Sequence, residues 1–318
     1  MDLLSDVLAV TGVRGTLGAR IEAADAWGVR WSGIRGAAFY AVTAGTAWLG
    51  LPGRPPFQLM PGDVVLLPNG AEHTLSSGPD TEIRACDCEA AARAKAEAGV
   101  LRFGSGDVQT HILGASYEYD PAVSIQILTL LPEVVHLRAD NSGSGLDDTV
   151  RLLARELVHT QVATAVVLNR LVDVLLVQLL RVLLTRQADE LRGTWLGVLG
   201  DPLVSVAMTK LHHDPARAWT VDGLAAELAV SRTTLSRRFL SVAGETPGGY
   251  LTRWRMDLAA VRLRDSDEPL EAIARSVGYT SVYAFSRAFR RARSQAPGQY
   301  RITSRATDQR RAPAAAPV

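Results

Sequence analysis

The strongest constraint on what this chain can fold into is a pattern that occurs twice in its C-terminal third. In the first copy Thr220 precedes an apolar pair, Leu224 and Leu228, and Ser231 precedes a second pair, Leu235 and Phe239. Thr and Ser side chains accept hydrogen bonds from the first backbone N–H groups of a helix, so each marks a helix start. The four-residue spacing then places each pair on one helical face. Two short amphipathic helices with a tight connection are a helix-turn-helix outline. The second copy runs from Leu270 to Arg290, through Ile273 and Val277. Gly278 suits the left-handed residue that closes a helix, Ser281 opens the next one, and Phe285 with Phe289 repeats the buried spacing. Between the copies Tyr250, Trp254, Leu258 and Val261 mark a connecting helix.

Geometry then selects the outer residues. With Leu235 and Phe239 committed inward, Arg232, Thr233, Ser236 and Arg237 lie on the outer side of the second helix of the first copy, and Val282, Tyr283, Ser286, Arg287 and Arg290 do the same in the second copy. An α-helix fits the major groove, where an arginine donating two hydrogen bonds to guanine discriminates by about 1–3 kcal/mol. Arg237 and Arg287 are therefore expected at base edges, with Arg232, Arg238, Arg290, Arg291 and Arg293 near phosphates. Such outlines also occur in helical proteins that never meet DNA, but a second copy with a basic outer face favours nucleic acid. Charge agrees, because Leu203 to Arg305 holds about 16 Lys and Arg against about 9 Asp and Glu, although the whole chain is only +1.

Residues Thr209 to Arg301 resemble the DNA-binding domain of the AraC/XylS family of transcription regulators. The resemblance rests on Trp219-Thr220, Leu224-Ala225, Ser231-Arg232, Leu235, Phe239, Gly244, Pro247, Tyr250, Trp254-Arg255-Met256, Ile273-Ala274, Gly278-Tyr279, Ser281, Phe285, Phe289 and Pro297 to Arg301. It implies that Thr233, Ser236 and Arg237, and Tyr283, Ala284 and Arg287, face bases. Tyr283 and Ala284 stand where longer polar side chains often occur in the family.

From Ile21 to Ile83 the chain runs in short β-like segments, among them Gly36–Val42, Thr46–Leu51 and Val64–Leu67, broken by Pro52-Gly53 and Pro61-Gly62. Such punctuation predicts an antiparallel barrel or sandwich, resumed at His111–Tyr119 and Ile125–Leu130. Gly62, five residues, Pro68-Asn-Gly70, two residues and His73 match the second cupin motif, which directs His73 into a barrel. Metal-binding cupins add an upstream His-x-His and Glu, whereas Gly36 to Gly45 holds neither His nor Glu. One histidine cannot hold a catalytic metal, so no cofactor is expected and His73 is either a hydrogen-bonded core residue or, with Tyr40, a contact for an effector. The N-terminal part also resembles the cupin-type sensors fused to AraC-like domains, through Phe39-Tyr40, Pro61-Gly62-Asp63, Tyr117, Leu131-Pro132, Asn169 to Val172, and Trp195 to Pro202. Some of those sensors respond to oxidants through a cysteine just before the equivalent of Tyr117, but here that stretch is His111-Ile-Leu-Gly-Ala115. Cys86 and Cys88, the only cysteines, are too close along a strand to staple a fold, which favours a reducing compartment and a structural over a redox role.

Leu146 to His159 and Thr164 to Thr185 show helical periodicity, and Leu168, Val172, Leu175, Leu179 and Val182 form one stripe that must be covered by the barrel or by a second copy of the chain. Asn169, Arg170, Asp173, Gln178 and Arg181 exclude a membrane span here, and residues 1–10 do not read as a signal peptide. The resulting expectation is an α+β chain. A cupin-like antiparallel β-barrel sensor (1–145) precedes a helical dimerisation segment (146–186), a linker (187–202), an all-α domain with two helix-turn-helix units joined by a long helix (203–304) and a disordered tail (305–318). The resemblance implies a cytoplasmic homodimeric regulator, an activator rather than a repressor. It would bind double-stranded DNA and RNA polymerase under the control of a small molecule or stress. A cupin-type enzyme and a protein-binding adaptor are the alternatives.

Overall fold

The computed structural model describes residues 2–32, 34, 36–86, 99–118, 128, 131–138, 145–159, 161–186 and 195–311. Expectations that fall on 87–98, on most of 125–130, and on 141–144, 187–194 and 312–318, Cys88 among them, lie outside these residues. The chain divides into two compact units.

Among its described residues one unit holds eleven strands: β1 (Arg14–Ala23), β2 (Gly28–Trp31), β3 (Ala37–Ala44), β4 (Ala47–Gly50), β5 (Phe57–Leu59), β6 (Val64–Leu67), β7 (His73–Ser76), β8 (Arg84–Ala85), β9 (Val100–Phe103), β10 (Thr110–Glu118) and β11 (Val135–Leu137). They form a six-stranded sheet in the order β11-β6-β3-β10-β1-β9 and a five-stranded sheet in the order β5-β4-β7-β2-β8. Ile21, Tyr40, Val65 and Leu67 of the first meet Val29, Leu49, Leu59 and Leu75 of the second in one core. Of the barrel or sandwich expected from the sequence, the described residues show two sheets facing each other across this core, with no closed sheet. Closure needs paired edges. Among the described residues the four outermost strands pair only inward, β8 and β9 in parallel with β2 and β1, and β5 and β11 antiparallel with β4 and β6. Cys86 is half-buried and packs against this core.

Residues 37–42 of β3 are buried on both faces because helices cover the sheet's outer side. These are α2 (Gly145–Val158) and α3 (Thr164–Arg186). The α3 stripe, left open between barrel and second chain, packs inward: Leu168, Val172, Leu175 and Leu179 are buried. β9 pairs with β1 only over Arg20–Ala23, so the N–H groups nearer its start need other acceptors. α3 supplies them, with Asp173 Oδ1 accepting from Gly15 N at 2.7 Å and Asn169 Oδ1 from Leu17 N at 3.2 Å. The Tyr117 hydroxyl donates to the carbonyl of Val172 at 2.9 Å. A Cβ on Gly15 would stand 2.4 Å from Val172 Cγ1, so glycine is what lets the helix approach.

The other unit is helical: α1 (Leu3–Thr11), α4 (Trp195–Leu199), α5 (Pro202–His213), α6 (Val221–Glu227), α7 (Arg232–Ala243), α8 (Pro247–Asp265), α9 (Leu270–Ser276), α10 (Val282–Arg293) and α11 (Pro297–Arg311). α1, placed by sequence with the sensor, packs instead on α5 and α8 through buried Leu3, Leu4, Val7 and Val10. α11 continues past residue 304, where a tail was expected. Arg305 anchors it by donating to Arg264 O at 3.0 Å and pairing with Asp267 at 2.7 Å. No helix among the described residues is long and apolar enough to cross a membrane.

Candidate nucleic-acid interface

Each predicted helix start carries its cap. Thr220 Oγ1 accepts from Gly223 N at 3.0 Å, Ser231 Oγ from Thr234 N at 3.1 Å and Ser281 Oγ from Ala284 N at 3.4 Å. The helix ends differ in an instructive way. Val230 N donates to Ala225 O and Tyr279 N to Ala274 O, so the two turns match at an offset of 49 residues, whereas the caps match at 50. The second turn is therefore one residue longer. At its left-handed position stands Gly278, with φ of 81°, while the equivalent place in the first turn is held by Ala229, with φ of 55°.

α8 fastens the helix pair α6–α7 to the pair α9–α10. Arg255 donates to Pro215 O at 2.7 Å and to Arg217 O at 2.8 Å, both in the loop before α6, and its guanidinium lies where a Cβ on Gly278 would sit 2.7 Å away. Burial lowers its pKa. Behind the first half His212 stacks on Trp254 with ring centroids 3.7 Å apart, and its Nε2 lies 2.6 Å from the Tyr250 hydroxyl. Burial, with Arg253 adding to it, pushes the His212 pKa down to about 3. The ring is thus neutral although Asp6 of α1 lies 3.5 Å from Nδ1. Sequence reasoning missed Arg255 and His212 as structural fasteners. Arg255 was visible only as part of a family motif, and nothing in the local pattern marks His212.

The outer faces of α7 and α10 carry the predicted residues. Arg232, Thr233, Arg237 and Arg238 are exposed on α7, and Ser236 is half-buried; Tyr283, Ala284, Arg287, Arg290 and Arg291 are exposed on α10, with Val282 and Ser286 half-buried. Leu235, Phe239, Phe285 and Phe289 are fully buried behind them. The arginines are not equivalent. Arg237, Arg287 and Arg290 make no ion pair among the described residues. Arg232 pairs with Asp222 at 3.0 Å, and Arg238 with the buried carboxylate of Asp201 at 2.5 Å. Asp201 also caps α5 by accepting from Val204 N, so Arg238 has a structural duty that competes with a phosphate. The side chain of Arg293, expected beside phosphates, is instead buried at 4% exposure against Asp257, a wholly buried carboxylate of α8 that Arg253 also approaches, at 4.0 Å.

In the sheet unit, Gly62 to His73 form a strand, a turn through Gly70 and a second strand that buries His73. His73 Nδ1 lies 2.7 Å from Ala71 O and Nε2 2.8 Å from the Tyr40 hydroxyl. Burial lowers the His73 pKa, so the ring is neutral: Nδ1–H donates to the carbonyl and Nε2 accepts from Tyr40. Tyr40 and His73, the candidate effector contacts of the sequence, therefore touch each other, with both ring nitrogens of His73 already engaged. Trp31, which faces His73 across β2 and β7, buries an indole N–H without a partner. Among the described residues no group of three or more His, Cys, Asp or Glu is placed to hold a metal ion.

The family model described as Cupin matches residues 2–185, and the one described as Helix-turn-helix domain matches residues 224–302. A protein of Streptomyces lividans named as an AraC-like transcription regulator is 39% identical over 303 residues, which are 95% of this chain and 98% of that protein. The HTH-type transcriptional regulator AlkR of Acinetobacter baylyi is 30% identical over 256 residues, covering 76% of this chain and 80% of the relative. Among solved structures, the DNA-binding domain of AdpA in complex with a target DNA is 34% identical, with 34% of this chain and 97% of that one covered and a TM-score of 0.32.

Proposed function

Since this chain belongs to the AraC-like family of transcription regulators, with a cupin domain ahead of its helix-turn-helix domain, we propose that it reads a two-part operator with α7 and α10 in successive major grooves of double-stranded DNA. The observation that carries the reading is the repetition of one arginine. Arg237 and Arg287 are exposed, without acidic partners among the described residues, and one position past the half-buried Ser236 and Ser286 on two helices tied to a common scaffold. Each reaches a guanine, while Thr233 and Ser236, and Val282, Tyr283 and Ala284, line the remaining contacts. Arg290, Arg291 and Arg232 neutralise phosphates, and Arg238 does so only by leaving Asp201.

The cupin-containing part senses a small molecule or stress signal. Tyr40 and His73 are its candidate contacts, supported by the unpartnered indole N–H of Trp31, the cross-strand neighbour of His73. The protein works in the cytoplasm as a homodimer through 146–186, and as an activator that presents a surface to RNA polymerase. The dimer is supported by the apolar residues that α3 leaves outside, Val166, Val167 and Val174.

The test is binding of the full chain to a duplex selected from a random library. Arg237→Ala and Arg287→Ala are each expected to weaken specific binding by about 1–3 kcal/mol while leaving the thermal transition unchanged. Wild-type affinity in both variants overturns the assignment of the two reading helices.

A further inference from the structure

Tyr283 is 72% exposed, whereas Phe285 and Phe289 of the same helix are fully buried, so its ring has no part in the core. It is the second residue of α10, at the end of a recognition helix that approaches base edges most closely. Arg287, one helical turn further on, holds its guanidinium over the Tyr283 ring at 5.8 Å from the centroid. Such a cation–π contact restrains the fork before any base is met, which leaves less freedom to lose on binding. In α7 the matching neighbour of Arg237 is Thr233, a small residue. The two reading helices therefore present the same arginine beside different companions.

Thymine alone places a methyl group in the major groove, where apolar side chains contact it. Neighbouring bases are stacked about 3.4 Å apart, so a ring and a guanidinium one helical turn apart address neighbouring pairs. We propose that Tyr283 is a specificity-determining residue, whose ring packs against the methyl of a thymine next to the guanine that Arg287 reads. The inference rests on the DNA-reading assignment above. It makes the two halves of the operator different words, which fixes the direction in which the chain lies on its site.

The full chain is used to select duplexes from a random library, and affinity is then measured on the selected duplex and on versions with each thymine replaced by deoxyuridine, which removes one methyl and no hydrogen-bonding group. The guanine read by Arg287 is located first, as the position whose replacement weakens the wild type but not Arg287→Ala. At an adjacent thymine, deoxyuridine is expected to weaken the wild type and Tyr283→Phe by about fourfold, the worth of one buried methyl. Tyr283→Ala, whose fold is checked by circular dichroism, should bind both duplexes equally. No loss at any thymine next to that guanine, or the same loss in Tyr283→Ala, overturns the proposal while leaving the DNA-reading assignment intact. If no duplex is selected, the assignment fails and the proposal falls with it.

Discussion

At Gly278 the chain takes a φ of 81°, and a Cβ there would meet Ala216 O at 2.8 Å as well as the Arg255 guanidinium. Gly278→Ala is therefore expected to destabilise the helical unit by about 2 kcal/mol, the cost of a left-handed alanine with a backbone contact added. Ala229 already bears that cost at the matching turn, with its side chain in solvent. Ala229→Gly should stabilise by about 0.5 kcal/mol, the strain relieved less the extra freedom glycine gains when unfolded. Urea titration of both variants checks the pair, and opposite signs are the outcome that matters. Gly278 was legible in the sequence, because glycine before a capping serine is a stop signal. The strained Ala229 was not, since nothing about an alanine announces a positive φ.

Among the helices, the packing of α5 on α8 turns on a neutral histidine. His212 has a folded pKa of about 3, against about 6.5 when unfolded. Above pH 6.5 neither state holds the proton. Below it the unfolded chain takes up a proton that the folded chain refuses, so the contribution of His212 to stability is lost progressively from about pH 6.5 down towards pH 3. His212→Gln, which cannot titrate, should be less stable at pH 7 but show a shallower fall of unfolding free energy between pH 6.5 and 4. Equal slopes in the two proteins would refute a buried neutral ring. α3 makes the complementary point. Its apolar stripe was plain in the sequence, yet the two surfaces that might cover it were equally apolar in prospect. Tyr117, Gly15 and Asp173 decided for the sheet, through contacts between residues more than fifty positions apart.

For the whole molecule, the consequence is that any dimer contact made by α3 must use its opposite face. Val167 and Val174 lie seven residues apart there, on one side of the helix, and are 40% and 43% exposed. The double variant Val167→Glu with Val174→Glu is expected to convert a dimer to a monomer in sedimentation velocity at unchanged thermal stability. An unaltered dimer would place the interface elsewhere. The position of α1 is also a property of the whole chain. Leu3, Leu4, Val7 and Val10 say only that a helix needs a partner, and α5 and α8 provide it some two hundred residues away.

By itself the sequence determined the two pairs of short helices and their outward residues, since caps, turn glycines and four-residue apolar spacings act within a few positions of one another. It also marked the turn that buries His73. Tertiary structure alone decided that the described strands sort into two facing sheets, that Arg238 and Arg293 are held by Asp201 and Asp257, and that Arg255 clamps the two halves. Ion pairs and sheet edges are settled by whichever distant group arrives within a few ångströms, and local spacing carries no record of that meeting.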